Sequence, residues 1–278
     1  MKIKKSTLYV TGTPIGNLGD ISPRALETLN SVDFIAAEDT RVSLKLLTKF
    51  GIKKPLLACR QHNITEISHD IVSRLKNGES CAMVTDAGMP CISDPGAELV
   101  DLCRESGVDT EVVPGPCALT SALALSGFSC RRFSFEGFLS VNPRQRKQRL
   151  DEIKEYGGLI ILYEAPHKLT RTLADLLSSL GDRNIAVCRE LTKIHEEVLR
   201  GKISEMTAHF EQIPPRGEFV LIIDALVKKE EPTVTAAVAA LMAQSLVEQG
   251  FKPTDACKTA AKQTKHSKSE VYKEYLKI

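Results

Sequence analysis

Five short apolar runs near the start of the chain each end in polar or turn-forming residues, and this spacing limits the folds open to it. Thr7–Val10 runs into Thr11-Gly-Thr-Pro-Ile-Gly-Asn-Leu-Gly-Asp20, Phe34–Ala37 into Glu38-Asp-Thr-Arg41, and Leu56–Cys59 into Arg60-Gln-His-Asn63. Ser80–Thr85 runs into Asp86-Ala-Gly-Met-Pro90, and Thr110–Val113 into Pro114-Gly-Pro116. Each run has strand length, and helical patterns fill most of the intervals. Ser22 can cap a helix that has Pro23 at its first position and Ala25, Leu26, Leu29 and Val32 on one face. Further helices fit Ser43–Phe50, Ile64–Lys76 and Ala97–Ser106. The repeated βα order predicts an α/β fold with a parallel sheet and right-handed connections. In such sheets ligands bind in the crevice outside the carboxyl ends of the strands. Polar chemistry at all these ends predicts a small-molecule site, and hence an enzyme.

Pro114-Gly-Pro116 closes a first domain (1–116), and the apolar stretch Ala118–Leu125 opens a second (117–228). The second reads as mixed α/β. Its strand candidates are Leu159–Tyr163, Ile185–Cys188, Glu197–Leu199 and Phe219–Ile223, with a helix over Lys168–Leu180. Phe138–Arg144 and Glu211–Gly217 read as irregular surface. The charged run Lys228-Lys-Glu-Glu-Pro232 predicts a linker to a small helical unit (236–278). Helices there fit Ala236–Gln249, Thr254–Thr264 and Ser267–Leu276, with Thr254 and Ser267 as caps and Lys265-His266 as the turn. Two short helices with a tight turn are compatible with helix-turn-helix geometry and equally with a plain bundle.

Composition narrows the function classes. The 278 residues carry Lys+Arg 37 against Asp+Glu 35, a net charge of +2, which excludes a uniformly basic nucleic-acid coat but not a local patch. Such a patch sits at the C-terminus, where residues 251–278 hold seven Lys and three acids, a balance of +4. Arg131, Arg132, Arg144, Arg146, Lys147 and Arg149 are most simply solvated charge, though together with the tail they could meet phosphates. No Trp is present and aromatics make up 5%, so extensive base stacking is not expected. The eight Cys lack metal-ligand spacing, so the expectation is buried reduced thiols, no metal site and a cytoplasmic protein. No apolar stretch approaches membrane-spanning length.

Gly12, Gly16 and Gly19 fit a βα turn that could receive an anion, but their spacing is not that of a dinucleotide or P-loop site. A turn needing positive φ explains them equally well. Asp86–Gly96, with two Gly and two Pro after a buried run, is the more specific ligand loop. Glu38-Asp-Thr-Arg41 is either a self-neutralising surface cluster or a carboxylate and guanidinium in the cleft. His62-Asn63, at the next strand end, is open to the same two readings.

Taken together, Thr11–Asp20, Ala37-Glu-Asp-Thr-Arg41, Asp86-Ala-Gly-Met-Pro90, Ser93-Asp-Pro-Gly96, Val113-Pro-Gly-Pro116, Tyr163-Glu-Ala-Pro-His167 and Arg189-Glu-Leu-Thr-Lys193 resemble the ribosomal RNA small subunit methyltransferase I family. That family falls in the tetrapyrrole-methylase-like class. The resemblance implies two α/β domains with the ligand cleft between them, a homodimer, and S-adenosylmethionine (SAM) as cofactor. It implies 2′-O-methylation of a cytidine ribose in the decoding region of 16S rRNA, within the small ribosomal subunit. Pro14, Gly88, Ile92, Ser93, Pro114, Gly115 and Ala118 are the expected SAM pocket, with Tyr163, Leu191 and Glu218 completing it from the second domain. Asp39, Arg41, His62 and Asn63 are the candidates for the acceptor side. Met89 and Cys91 stand where the family more often has other small or polar residues. The alternatives are a tetrapyrrole or precorrin C-methyltransferase of the same architecture, and a non-catalytic RNA-binding assembly factor.

Overall fold

The computed structural model describes residues 3–225, 234–264 and 266–278. The expected linker Lys228–Pro232 and Lys265 of the expected turn lie outside the described residues. Tertiary contacts divide the chain into two compact units, Met1–Leu226 and Val227–Ile278.

The first sheet holds β1 (Thr7–Thr11), β2 (Phe34–Ala37), β3 (Leu56–Ala58), β4 (Cys81–Val84) and β5 (Asp109–Val113), all parallel, in the order β3-β2-β4-β1-β5. The helices between them are α1 (Pro23–Ser31), α2 (Thr40–Lys49), α3 (Ile64–Lys76) and α4 (Ala97–Glu105). Strand side chains alternate between two cores. Tyr9, Ile35, Ala37, Ala82 and Val84 pack with Ala25 and Leu29 of α1 and Leu47 of α2. Leu8, Phe34, Ala36, Cys81 and Met83 pack with Ile71 and Leu75 of α3 and Leu99 of α4. This follows from right-handed crossovers: β1 and β2 lead the chain one way along the sheet, β3 and β4 lead it back, and the helices fall on opposite faces. The direction reverses between the neighbours β1 and β4, which opens a crevice at their carboxyl ends.

Backbone contacts knit that crevice. Thr13 N–H donates to Gly88 O (2.9 Å) and Gly88 N–H to Thr13 O (3.1 Å), joining the loops after β1 and β4. A Cβ on Gly115 would stand 2.9 Å from the Gly12 backbone, so the loops after β1 and β5 meet main chain to main chain. Gly12, Gly16 and Gly19 do not have positive φ. Gly12 and Gly16 serve close approach instead, Gly16 under the side chains of Thr192 and Lys193.

The second sheet follows α5 (Ala118–Ser126) and is mixed: β6 (Phe133–Gly137), β7 (Leu159–Glu164), β8 (Asn184–Arg189), β9 (Glu197–Lys202) and β10 (Phe219–Ile223), ordered β6-β7-β10-β8-β9. One face is covered by α6 (Pro143–Ile153), α7 (Pro166–Leu180) and α8 (Ile203–Gln212) through Leu150, Leu173, Leu176, Met206 and Phe210. The other face takes Ala122 of α5 and Ile15, which reaches over from the loop after β1. The stretch 138–144, expected to be irregular, is cut short by α6, which starts at Pro143 under an Asn142 cap. Arg146, expected to be solvated, is buried. It binds Asp175 (Nε–Oδ2 2.6 Å) and Thr172 (2.8 Å) of α7.

In the second unit α9 (Ala236–Glu248), α10 (Pro253–Thr264) and α11 (Lys268–Tyr275) close around Ala239, Ala243, Ala256, Cys257, Ala260 and Val271. Ser267 caps α11 in a reciprocal box with Glu270. Thr254 lies inside α10 rather than capping it, because that helix already begins at Pro253. No described helix is long and apolar enough to cross a membrane.

The Gly12–Gly115 contact leaves no room for a methyl group. Gly115→Ala is expected to lower unfolding stability by about 1–3 kcal/mol through overpacking. Urea denaturation checks this, and Gly51→Ala is a poor control because of its left-handed φ. Gly157→Ala, with open space around it, is the better one.

Candidate active site

The strand-end loops enclose a cavity of about 590 Å³, a size usual for small-molecule sites. Ile15 comes from the loop after β1, Glu38 from the end of β2, and Asp86–Met89 and Ile92–Asp94 from the loop after β4. Cys117 and Ala118 come from the start of α5. The second sheet adds Phe138, Tyr163–His167, Leu191 and Glu218–Val220. The lining thus combines apolar side chains (Ile15, Met89, Ile92, Leu191, Val220) with carboxylates, Glu38, Asp86 and Asp94 among them.

The carboxylates are tied to the fold. Thr85, buried at the end of β4, donates its hydroxyl to Glu38 Oε2 (2.6 Å). Asp39 N–H donates to Asp86 Oδ1 (3.1 Å). Burial, then the charge of Glu38, pushes the Asp94 carboxyl up to about 6, against an opposing hydrogen bond from Thr85. Thr85 has one proton to give, and the 2.6 Å bond commits it to Glu38. Burial also raises Asp86, although the Asp39 amide partly offsets it. A carboxyl poised near neutrality in a cleft is well suited to accept a proton.

Both flanking loops hold residues in sparsely populated backbone conformations. Cys91 and Ser93 have φ of 69° and 66°, and Glu190 and Thr192 have φ of 50° and 66°. Such strain is held only where the surroundings over-determine it, and it collects at ligand sites. Here Ser93 fits against Gly137 of β6, where an added Cβ would stand 2.8 Å from Ser93 Oγ. Lys193 clamps the other loop, bonding Glu190 (2.9 Å) and Glu218 (2.8 Å). The Tyr163 hydroxyl accepts the Leu119 amide (3.0 Å), and burial raises its phenol above the ordinary range. Glu164 on the cavity wall is held by the Thr172 hydroxyl and the Ala165 amide (2.8 Å).

Residues 7–207 match the tetrapyrrole (corrin/porphyrin) methylase family. The chain is 42% identical over 272 residues to ribosomal RNA small subunit methyltransferase I of Synechocystis, covering 98% of each. It is 48% identical to the Thermotoga maritima protein of that name, over 78% of this chain and 97% of the relative. The chain belongs to this family. Among solved structures, a cobalt precorrin-4 methyltransferase matches with a TM-score of 0.61 at 19% identity, over 79% of this chain and 95% of that one. A diphthine synthase matches at 0.60 and 16%, over 79% and 89%. These two show that the family's fold is the one seen here.

Of the residues expected to shape the cofactor pocket, Gly88, Ile92, Ser93, Ala118, Tyr163, Leu191 and Glu218 line the cavity. Pro14, Pro114 and Gly115 do not line it and instead belong to the loops that frame it. The expected acceptor-side residues stand apart from the cavity. Asp39 caps α2 and grips Arg41 with both oxygens (2.5–3.2 Å), which holds its carboxyl well below the usual range. It is a poor proton acceptor. Arg41 points into solvent, His62 is exposed, and Asn63 folds back to bond Arg60 N–H (2.7 Å) and Ala58 O (3.2 Å). Glu38, Asp86 and Asp94, none of them among the expected site residues, line the cavity from the loops after β2 and β4.

Asp94 binds its proton more tightly in the folded protein than its ordinary value of 3.8 allows in the unfolded chain. The stability from that protonated form is complete below about pH 4 and is lost as pH rises through about 6. The stability of Asp94→Asn relative to wild type is therefore expected to rise between about pH 4 and 6 and level off above 7. Urea titrations at several pH values measure the difference, and a flat difference would contradict the assignment.

Proposed function

We propose that this protein transfers a methyl group from SAM to the 2′-hydroxyl of a cytidine in the decoding region of 16S rRNA, acting on the small ribosomal subunit. The observation that carries the reading is a cavity at the switch point of a methylase fold whose lining combines apolar side chains with carboxylates, Glu38, Asp86 and Asp94 among them. The relatives' name supplies the RNA.

The residues fit SAM. The carboxylates complement a ligand bearing a sulfonium and an ammonium, and the apolar walls suit an adenine. Gly88 and the small residues Ala87, Ala118 and Ala165 let main-chain groups come close. When bound, SAM supplies an electrophilic methyl group. The protein's own part is to hold the ribose oxygen in line with that methyl, exclude water and take the hydroxyl proton. We assign proton acceptance to Asp94, whose basicity burial raises first and the charges of Glu38 and Asp86 raise further. On this reading the protein works in the cytoplasm, where ribosomes assemble, as the homodimer its resemblance implies. The Lys-rich C-terminal unit adds affinity for RNA.

Nucleoside mass spectrometry of 16S rRNA from wild-type and deletion strains tests the reaction. An unchanged 2′-O-methylcytidine content would remove it and favour a binding factor, while methylation of a tetrapyrrole in vitro would favour the C-methyltransferase.

For the chemistry, the single-turnover rate should rise with pH and flatten above 7, because the ionised carboxyl is the active form, with a midpoint below about 6 once the cationic cofactor is bound beside it. The apparent value belongs to the carboxylate cluster as a whole. Asp94→Asn should lower the rate by ~10²–10⁴-fold and abolish that rise. Asp39→Ala, which breaks only the pair with Arg41, should cost much less. Equal losses in the two variants would return the role to Asp39.

A further inference from the structure

At the rim of the cavity, Phe138 lies 54% exposed while its ring meets Tyr163 edge-on (centroids 5.7 Å apart). Tyr163 is braced from behind by Phe135 (4.9 Å). A lone exposed phenylalanine carries little weight, but this one is placed by several independent devices. The register of β6 against β7 shifts between Phe135 and Gly137, and Gly137 takes a φ of 60°. Bulges of this kind re-aim side chains next to active sites. The next residue, Leu139, is buried in the core and anchors the segment. Ser140 bonds Gln145 (2.8 Å) in the first turn of α6, so the rim is folded onto that helix.

The α6 helix then presents charge that the fold does not use. Of its basic residues, Arg146 is buried against Asp175, and Arg149 is taken by Glu136 and Glu152. Arg144 and Lys147 are exposed, three residues apart on one face. Neither makes an ion pair among the described residues. An aromatic ring at a cavity mouth, followed by free cations, matches a nucleotide: a π-face for the base and positive charge for the phosphates.

We propose that Phe138 is the platform on which the base of the acceptor nucleotide stacks, and that Arg144 and Lys147 hold the adjoining RNA phosphates. This inference rests on the RNA methylation reading above and names its acceptor subsite. Phosphate contacts fix the register of the strand, while stacking holds the unpaired nucleotide with its ribose over the carboxylates. Stacking tolerates any base, so sequence choice lies elsewhere in the contact with the subunit.

The test is single-turnover methylation of unmodified small subunits, with enzyme concentration varied and SAM at saturation for each variant. Phe138→Ala should lower the rate at limiting enzyme by roughly 5- to 100-fold. Phe138→Tyr should restore it to near wild type, whereas Phe138→Leu, apolar but not aromatic, should not. The double variant Arg144→Gln/Lys147→Gln should reduce the log–log salt slope of subunit affinity by about 1 to 1.5. The proposal is overturned if the leucine variant matches wild type, if the alanine variant matches wild type once SAM is saturating, or if the salt slope is unaltered. Should the wild-type protein leave small subunits unmethylated, the RNA reading falls and takes this inference with it. Should it methylate them and the variants do so equally, only the inference falls.

Discussion

The reciprocal hydrogen bonds between Thr13 and Gly88 hold together what the rest of the site depends on. They join two loops whose strands send the chain in opposite directions, and so tie the two sides of the crevice together. The side-by-side packing of Gly12 and Gly115 adds the loop after β5 to the same knot. Loops normally vary and move, but three of these share main-chain contacts. They can therefore hold Cys91 and Ser93 in conformations that an isolated loop would abandon, at a cost of order 1–3 kcal/mol each.

That rigidity has an electrostatic consequence. Carboxylates usually escape one another by turning into solvent. Here Glu38 is fixed by Thr85, Asp86 by the Asp39 amide, and Asp94 by a strained loop pressed against Gly137. They remain close enough for the charges of Glu38 and Asp86 to weigh on Asp94. A neighbour of opposite sign would relieve the crowding. Arg41 is the nearest candidate in sequence, but its guanidinium is bound to Asp39, and it offsets the rise of Asp86 only after burial and the neighbouring acids have raised it. The segment Glu38–Arg41 thus supplies both the self-neutralising pair and one member of the acid cluster, Glu38, the other two coming from the loop after β4.

Much of this was legible in the sequence. The strand runs of the first sheet stand out because both faces of a parallel sheet are buried, which leaves near-continuous apolar stretches. β6 was not legible. It is an edge strand, paired with β7 alone among the described residues, and its Phe-Ser-Phe-Glu-Gly pattern is half-exposed. α6 was hidden because its charged surface swamps three inward residues, one of them the buried Arg146. α8 could have been found, since Ile203, Met206 and Phe210 fall at helical spacing. In the site, the glycine loops marked the cavity but not its chemistry. Asp39 and Asp94 both follow strands, and only burial and the company of other acids distinguish an inert helix cap from a poised carboxyl.

Ile15 belongs by sequence to the first sheet's loop and by packing to the second sheet's core. The two halves therefore do not form separable pieces that happen to touch. Cutting the chain between them would strip a residue from one core and leave an oily peg on the other. The peg and the site share one loop, since Ile15 also lines the cavity. A graft of these strand-end loops onto another sheet would have to bring along the far half's socket as well.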